Sequence, residues 1–384
     1  MLDCFRAVAW GTLSAMRKIE LSYSLTPHGT DRTPGQTLLH NPLLALLHAV
    51  REAGSISGAA RQLGLSYRHV WGQLKQWETE LGHALILWER GQAALLSPFG
   101  ERLLMAERLA QARLAPQVES LRAELERAFA RALESAAQSG TPSEVLTIYA
   151  SHDHALGELQ DMAASAALPL HLDLRLCGSV DALRALNQGR CLLAGFHTQP
   201  FAPAASLSAR TYRPLLKPGR HKLLGFARRV QGLIVQPDNP MRLGDLRDVA
   251  RLQARFINRA PGTGTRLLLD ELMSQAQLDP IDMAGYDTVE SSHAAVAQAV
   301  VSGSAEVGLG TEDAARRAGL GFVPLTEERY LLVCLKEALA LPAVQQLMAL
   351  LRQPAWQARL NALPGYSSDH CGEVAAMKRL LSWW

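Results

Sequence analysis

The sequence predicts two folded units in series: an α+β head of short helices and a β-hairpin, then an α/β domain, joined by one long helix. Three observations predict it. Apolar residues from Pro42 to Leu81 recur at helical spacing, with interruptions at Gly54 and Gly64. The tract from Glu101 to about Ser135 keeps a three-or-four spacing at Leu103, Leu114, Val118, Leu121, Leu125 and Phe129. Beyond Ser143, short apolar segments alternate with helical or loop stretches.

The bulk numbers bound the class. A chain of 384 residues is longer than one hydrophobic core usually organises, and 48% hydrophobic with 20% charged residues is a globular composition. A net charge of +3 is only mildly basic, so a nucleic-acid partner has to be argued from where the charges sit. Cys4, Cys177, Cys191, Cys334 and Cys371 are scattered and form no C-x-x-C pair, which excludes a disulfide framework and a cysteine zinc site and points to a reducing, cytoplasmic setting. No apolar run approaches the ~20 residues that span a bilayer, so no membrane association is expected. The first fifteen residues, with Asp3 among them and no hydrophobic core, make a poor signal peptide.

The elements follow in order. Residues 1–39 form an N-terminal extension, with the alternating Lys18 to Leu25 stretch as a candidate edge strand and Met16 as an alternative start to Met1. The head covers 40–97: three short helices divided by the two glycines, then a hairpin from Leu85 to Leu96 around Glu89, Arg90, Gly91 and Gln92. The long helix covers 98–137, with Pro116 expected to kink or restart it. Its apolar stripe needs a partner surface, and a second copy of the same helix is the economical one, so a homodimer is expected, with pairing into tetramers open. Gln138 to Ser143 is small and polar with a proline, and is the linker. The second domain covers 144–384, with strands at Val145–Ala150, Leu170–Leu176, Cys191–Phe196, Leu233–Gln236, Arg255–Ile257 and Val307–Leu309, an alternation that implies parallel pairing.

Within the head, Ser55 to Gly82 has the economy of a helix-turn-helix. Ala59, Ala60 and Leu63 suit a close helix crossing, Gly64 closes the first helix and Ser66 can cap the second. On the second helix Val70, Leu74, Trp77 and Leu81 share one arc, while Arg68, Gly72, Lys75 and Thr79 lie opposite, with His69, Gln73 and Gln76 nearby. Cationic and hydrogen-bonding side chains facing a groove, with a glycine that lets the backbone come close, are what reading duplex DNA requires. Ser66, Tyr67 and Arg68 would stand nearest the bases, and Arg90 at the hairpin tip suits a phosphate or minor-groove contact.

These residues carry a specific resemblance. Residues 40–135, through S-Y-R-H-V-W-G (Ser66 to Gly72), Q-W-E-T-E-L-G (Gln76 to Gly82), W-E-R-G (Trp88 to Gly91) and S-P-F-G (Ser97 to Gly100), resemble the winged helix-turn-helix and dimerisation helix of LysR-type regulators, and most closely the N-terminal domain of the molybdate-responsive ModE family. The chain departs from the pattern at Leu85 to Leu87 and Gln92 to Ala94, within the wing. The resemblance implies a transcription regulator that binds a double-stranded operator.

Residues 145–335 resemble a type II periplasmic-binding-protein-like domain, two α/β lobes that close on a ligand, of the kind associated with molybdenum-cofactor biosynthesis. The likeness rests on S-H-D (Ser151 to Asp153), G-S-V-D-A-L (Gly178 to Leu183), A-G-F-H (Ala194 to His197), I-N-R-A-P-G-T-G-T-R (Ile257 to Arg266), S-H (Ser292, His293) and V-G-L-G (Val307 to Gly310). Independently of it, Ser151, Ser179, Thr263, Gly264, Thr265 and Ser292 fall near expected helix starts, where free N–H groups and the helix dipole favour an anion. Arg259 and Arg266 can add charge, and His152, His197 and His293 can donate hydrogen bonds. Asp153 is expected to cap or orient, and Gly178 is a candidate ligand-binding residue within the G-S-V-D-A-L run.

By resemblance the favoured effector is molybdate or tungstate. A molybdenum-cofactor fragment, sulfate or a small organic acid remains open, and a solute-binding or cofactor-delivery protein that does not bind DNA is the alternative of another class. No covalently bound cofactor is expected. His152, Asp153 and His154 are adjacent and cannot all face one ion, so no metal site is expected either. The chain has no G-x-S-x-G elbow and no paired catalytic carboxylates, and the G-T-G-T run lacks phosphate-loop spacing, so no enzyme is predicted.

Overall fold

The protein is described by a computed structural model that covers residues 41–87, 93–134, 144–166, 170–368 and 370–384. The expected edge strand at Lys18 to Leu25, Arg90 at the hairpin tip and the linker Gln138 to Ser143 lie outside the described residues.

Helices α1 (Pro42–Ala53), α2 (Ile56–Gln62) and α3 (Tyr67–Leu81) build the head, divided where the glycines predicted. Asn41 caps α1 by accepting from the N–H groups of Leu43 and Leu44, and Gly54 ends it in the left-handed region at φ 60°. Ser55 and Ser66 cap α2 and α3. Leu46, Leu47, Val50, Ala59, Ala60, Val70 and Leu74 close the core. The hairpin pairs β1 (Ile86–Leu87) with β2 (Leu95–Leu96), Ile86 opposite Leu96.

Helix α4 (Pro98–Glu134) runs for 37 residues, about 55 Å at 1.5 Å per residue. It starts against the hairpin at Gly100, where a Cβ would lie 2.5 Å from the Leu85 carbonyl oxygen. The helix does not restart at Pro116 but continues through it. Proline removes one donor and crowds the previous turn, and here a neighbouring element compensates the lost bond, as shown below.

The C-terminal domain is a mixed sheet in the order β4-β3-β5-β10-β6-β9-β7-β8. Parallel pairing holds for β3 (Glu144–Ala150) with β4 (Leu170–Leu176) and β5 (Leu193–Thr198), and for β7 (Phe256–Arg259) with β8 (Val289–Glu290) and β9 (Val307–Thr311). The expectation of an all-parallel sheet is corrected at the centre. Strands β6 (His221–Val235) and β10 (Gly321–Leu335) are 15 residues each and antiparallel, and the short strand expected at Leu233–Gln236 is the end of β6.

Those two strands serve both halves of the domain. One end of β10 pairs with β5, the far end of β6 pairs with β9, and their register shifts between Tyr330 and Leu331 and between Pro324 and Thr326. The first lobe adds α5 (His154–Ser165), α6 (Ser179–Asn187), α7 (Leu207–Tyr212) and, from the chain's end, α12 (Pro342–Arg352), α13 (Pro354–Asn361) and α14 (Met377–Leu380). The second adds α8 (Leu246–Arg251), α9 (Gly264–Ala276), α10 (His293–Val301) and α11 (Glu312–Arg317). Each lobe packs apolar residues on both faces of its sheet, around Phe226 and Trp356 and around Phe196 and Trp383 in the first, and around Phe256 and Val296 in the second. No described helix is long and apolar enough to cross a membrane.

Candidate functional site

On the head, α3 turns its apolar arc inward, with Val70 and Leu74 buried and Trp77 and Leu81 half-buried. Ser66, Tyr67, Arg68, His69, Gly72 and Lys75 are exposed, and Gln73 is half-buried. Ser66 Oγ accepts from the His69 N–H at 3.2 Å, fixing the end of the helix that would meet the bases. Nothing lies within 4 Å of a Cβ built on Gly72. Lys75 is engaged within the chain: its Nζ lies 2.7 Å from Glu78 and 4.8 Å from the Trp71 ring centroid. Glu78, which the sequence did not single out, ties the hairpin to this helix by accepting from the N–H groups of Leu85 (2.8 Å) and Ile86 (3.3 Å). An i,i+3 charge pair is a common surface feature, so nothing in the string marks that second role.

The second constellation is buried between the lobes. Ser151 follows β3, and its Oγ is 3.4 Å from Ser179 Oγ at the start of α6; Ser179 Oγ is in turn 3.4 Å from His197 Nδ1 on β5. From the second lobe, Thr265 Oγ1 at the start of α9 lies 3.4 Å from His293 Nε2 at the start of α10. The lobes touch here: a Cβ on Gly178 would sit 2.6 Å from the Gly262 carbonyl oxygen, and one on Gly264 would sit 2.9 Å from His197 Nδ1 and 3.2 Å from Ser179 Oγ. Both glycines are needed for that approach. Farther out, Glu271 on α9 accepts from the Leu207 N–H of α7 at 2.5 Å, and His154 on α5 lies 3.1 Å from Asp313 on α11.

Charge within the cluster is unequal. Arg229 on β6, fully buried, donates to Glu328 on β10 at 2.5 Å and also to Asp153, which accepts from Tyr366 as well. Asp153 additionally caps α5 by accepting from the Ala155 N–H, matching its expected orienting role. Arg259, 3% exposed at the end of β7, has no carboxylate partner among the described residues. Its Nη2 donates to the Ser291 carbonyl at 3.0 Å, and its Nε has no partner. Burial, then the Arg229 guanidinium, pull its pKa down to about 10, against the opposing pull of Asp153.

The two histidines are disfavoured as cations. Burial foremost, then the guanidinium groups of Arg229 and Arg259, holds both His197 and His293 well below the ordinary imidazole range. Among the described residues His197 Nε2 and His293 Nδ1 have no hydrogen-bond partner, nor has the hydroxyl of Tyr330, whose ring lies 4.0 Å from His197. Buried polar atoms are nearly always paired, and a convergence of unpaired ones beside a buried cation is chemically suited to an anion.

Of the residues expected from sequence, the structure brings together Ser151, Gly178, Ser179, His197, Arg259, Gly264, Thr265 and His293. His152 is half-buried and close enough to act electrostatically on His293. Thr263 caps α9, accepting from the Arg266 N–H and donating to the Ala260 carbonyl. Ser292 caps α10 and donates to α4. Arg266 pairs with Asp270 at 3.2 Å on its own helix and lies 4.0 Å from the Tyr286 ring centroid. Arg229, Glu328 and Tyr330 were missed. The signal was the R-R at Arg228–Arg229 and E-E at Glu327–Glu328, of which Arg229 and Glu328 lie opposite each other across β6 and β10 once the strands are known to be antiparallel.

Comparison with known proteins matches both halves. Residues 42–101 match the bacterial regulatory helix-turn-helix protein, lysR family, and residues 161–352 match the PBP superfamily domain. The chain is 33% identical over 198 residues to the uncharacterized protein YvgK of Bacillus subtilis, covering 51% of this chain and 63% of that one. It is 29% identical over 166 residues to the molybdenum-pterin-binding protein MopB of Rhodobacter capsulatus, covering 40% of this chain and 62% of that one. It therefore spans less than two thirds of either relative's length. A solved structure of a Corynebacterium glutamicum OxyR C206 mutant is similar at 18% identity and a TM-score of 0.40, covering 81% of this chain and 90% of that one, a likeness that bears on neither ligand nor partner.

Proposed function

Because this chain belongs to the PBP superfamily through residues 161–352, behind a lysR-family helix-turn-helix at 42–101, we propose that it is a transcription regulator that binds DNA through α3 and senses a small anion between its C-terminal lobes, with molybdate or tungstate the favoured effector. The observation that carries the reading is Arg259: a buried cation without a carboxylate partner among the described residues, beside unpaired nitrogens of His197 and His293. An anion there completes the charge balance and hydrogen bonding at once. The helix starts at Ser179, Gly264 and His293 add oriented N–H groups and dipoles without adding net charge.

Within each lobe the polar side chains cluster at spacings of 3.4 Å, which suits a compact oxyanion more than an extended ligand. The similarity to the molybdenum-pterin-binding protein MopB favours a molybdenum-containing one. On the DNA side, the exposed Arg68 and His69 beside a bare Gly72 are the groups presented to a groove. Leu114 and Leu121, exposed on α4, suit a second copy of the helix and hence a homodimer.

Titration calorimetry with sodium molybdate, tungstate, sulfate and phosphate on the full chain tests the sensor. Heat with molybdate and tungstate and none with sulfate supports the assignment, and heat with sulfate or phosphate alone reassigns the effector. Gel shifts on a duplex from upstream of the protein's own gene test the head. Affinity that falls steeply with salt supports it, and no duplex binding at low salt leaves a solute-binding protein instead.

A further inference from the structure

Helix α4 leans on both lobes at separate points. At its middle it meets the second lobe: Arg113 donates from Nε and Nη2 to the Glu290 carboxylate at 2.5 to 3.1 Å. Ser291 Oγ donates to the Arg113 carbonyl at 2.9 Å, and Ser292 Oγ donates to the Ala112 carbonyl at 3.0 Å. About 14 Å farther along the axis, Arg122 donates to Gln160 Oε1 of α5 in the first lobe at 2.8 Å, and Gln160 donates in turn to the Leu172 carbonyl of β4.

The sequence explains why the Ala112 carbonyl is available. Its helical donor would be the N–H of residue 116, and residue 116 is proline, which has none. Ser292 fills that vacancy. The Glu290 side chain is 4% exposed while that of Arg113 is 52% exposed, so the second lobe buries a carboxylate whose counter-charge arrives from α4.

The same residues border the buried site. Ser292 caps α10, whose first residue is His293, and Ser291 offers its carbonyl to Arg259. We propose that α4 is a strap across the two lobes, docked at both points only when the lobes are closed, so that occupancy of the buried site and placement of the helix leading to the head form one equilibrium. This rests on the anion-sensing reading above and adds the residues that transmit it: Arg113, Glu290, Ser291 and Ser292, with Pro116 supplying the acceptor. A strap held at both ends stabilises closure, and by reciprocity closure stabilises the strap.

The test follows hydrogen–deuterium exchange of residues 105–125 in the full chain and calorimetry with sodium molybdate. Gly178→Ala places a methyl group against the Gly262 carbonyl, propping the lobes apart without touching α4. Arg113→Ala/Glu290→Gln cuts the α4 contact while leaving Arg259, Ser291, Ser292 and His293 unsubstituted. Both variants are expected to exchange faster over 105–125, and the second to bind molybdate at least about 5-fold more weakly. Wild-type exchange over 105–125 in Gly178→Ala overturns the proposal, as does faster exchange in Arg113→Ala/Glu290→Gln with unchanged molybdate affinity. If the wild type gives no heat with molybdate, tungstate, sulfate or phosphate, the anion reading falls, and the ligand-free Gly178→Ala comparison still decides the strap.

Discussion

Arg229 and Arg259 are buried in the same seam between the lobes, yet Arg229 is held by the carboxylates of Asp153 and Glu328 while Arg259 meets only the Ser291 carbonyl among the described residues. One is a structural member of a charge triad; the other is a buried cation with no carboxylate beside it among the described residues. The two substitutions therefore separate. Arg229→Met leaves two buried carboxylates unpaired and is expected to destabilise the domain by about 3–5 kcal/mol. Arg259→Met removes an uncompensated charge and is expected to leave thermal stability equal or higher while weakening anion binding at least about 10-fold, or about 1.4 kcal/mol. Denaturant titration and calorimetry of the two variants check this, and equal destabilisation by both would contradict it.

Closure depends on bare backbone at Gly264, where a Cβ would press on His197 and Ser179. Gly264→Ala is expected to lower anion affinity while leaving the secondary-structure content unchanged, since the position opens a helix in which alanine is the better former. Unchanged affinity by calorimetry would mean that the lobes do not approach in solution as they do here.

His197 and His293 make stability pH-dependent in a stated direction. Their folded pKa values lie below the ordinary 6.5, so the unfolded chain takes up protons first as pH falls. Their contribution is fully present above about pH 6.5 and is lost as pH falls from there toward their folded values. Thermal unfolding at pH 7.5 and 5.5 should show a larger loss in the wild type than in His197→Gln/His293→Gln. Parallel losses would remove these two residues as the cause.

On the head, Arg68 is exposed whereas Lys75 already pairs with Glu78. Arg68→Ala is expected to cost about 1–3 kcal/mol of operator binding if it reads a base, and Lys75→Ala to cost less. Gel shifts across a salt series distinguish the two. The reverse order of effects would move the reading surface along α3.

Gly72 offers a test in which stability and binding part company. With open space where a Cβ would go, Gly72→Ala should stabilise α3 by about 1 kcal/mol. Crowding a groove, the same methyl group should weaken DNA affinity. Raised thermal stability with unchanged affinity would mean that this face of the helix does not meet DNA.

The sequence by itself determined what local physics can encode. Gly54, Gly64 and Gly82 end or separate helices at residues where the chain turns, Ser66 and Asp153 cap the helices they precede, and the apolar period of α3 fixes which side faces inward. These features are legible because capping and amphipathicity act over a few residues. Tertiary structure alone decided the partners that lie far apart in the chain. It set Arg229 against Asp153 and Glu328, left Arg259 without a carboxylate among the described residues, paired Arg266 with Asp270, and made Pro116 the origin of an acceptor for Ser292. The physical reason is that a charge or a carbonyl is satisfied by whatever folding brings beside it. The antiparallel pairing of β6 with β10 and the seating of α4 on α10 join segments separated by about a hundred residues or more, a distance over which no residue pattern carries register.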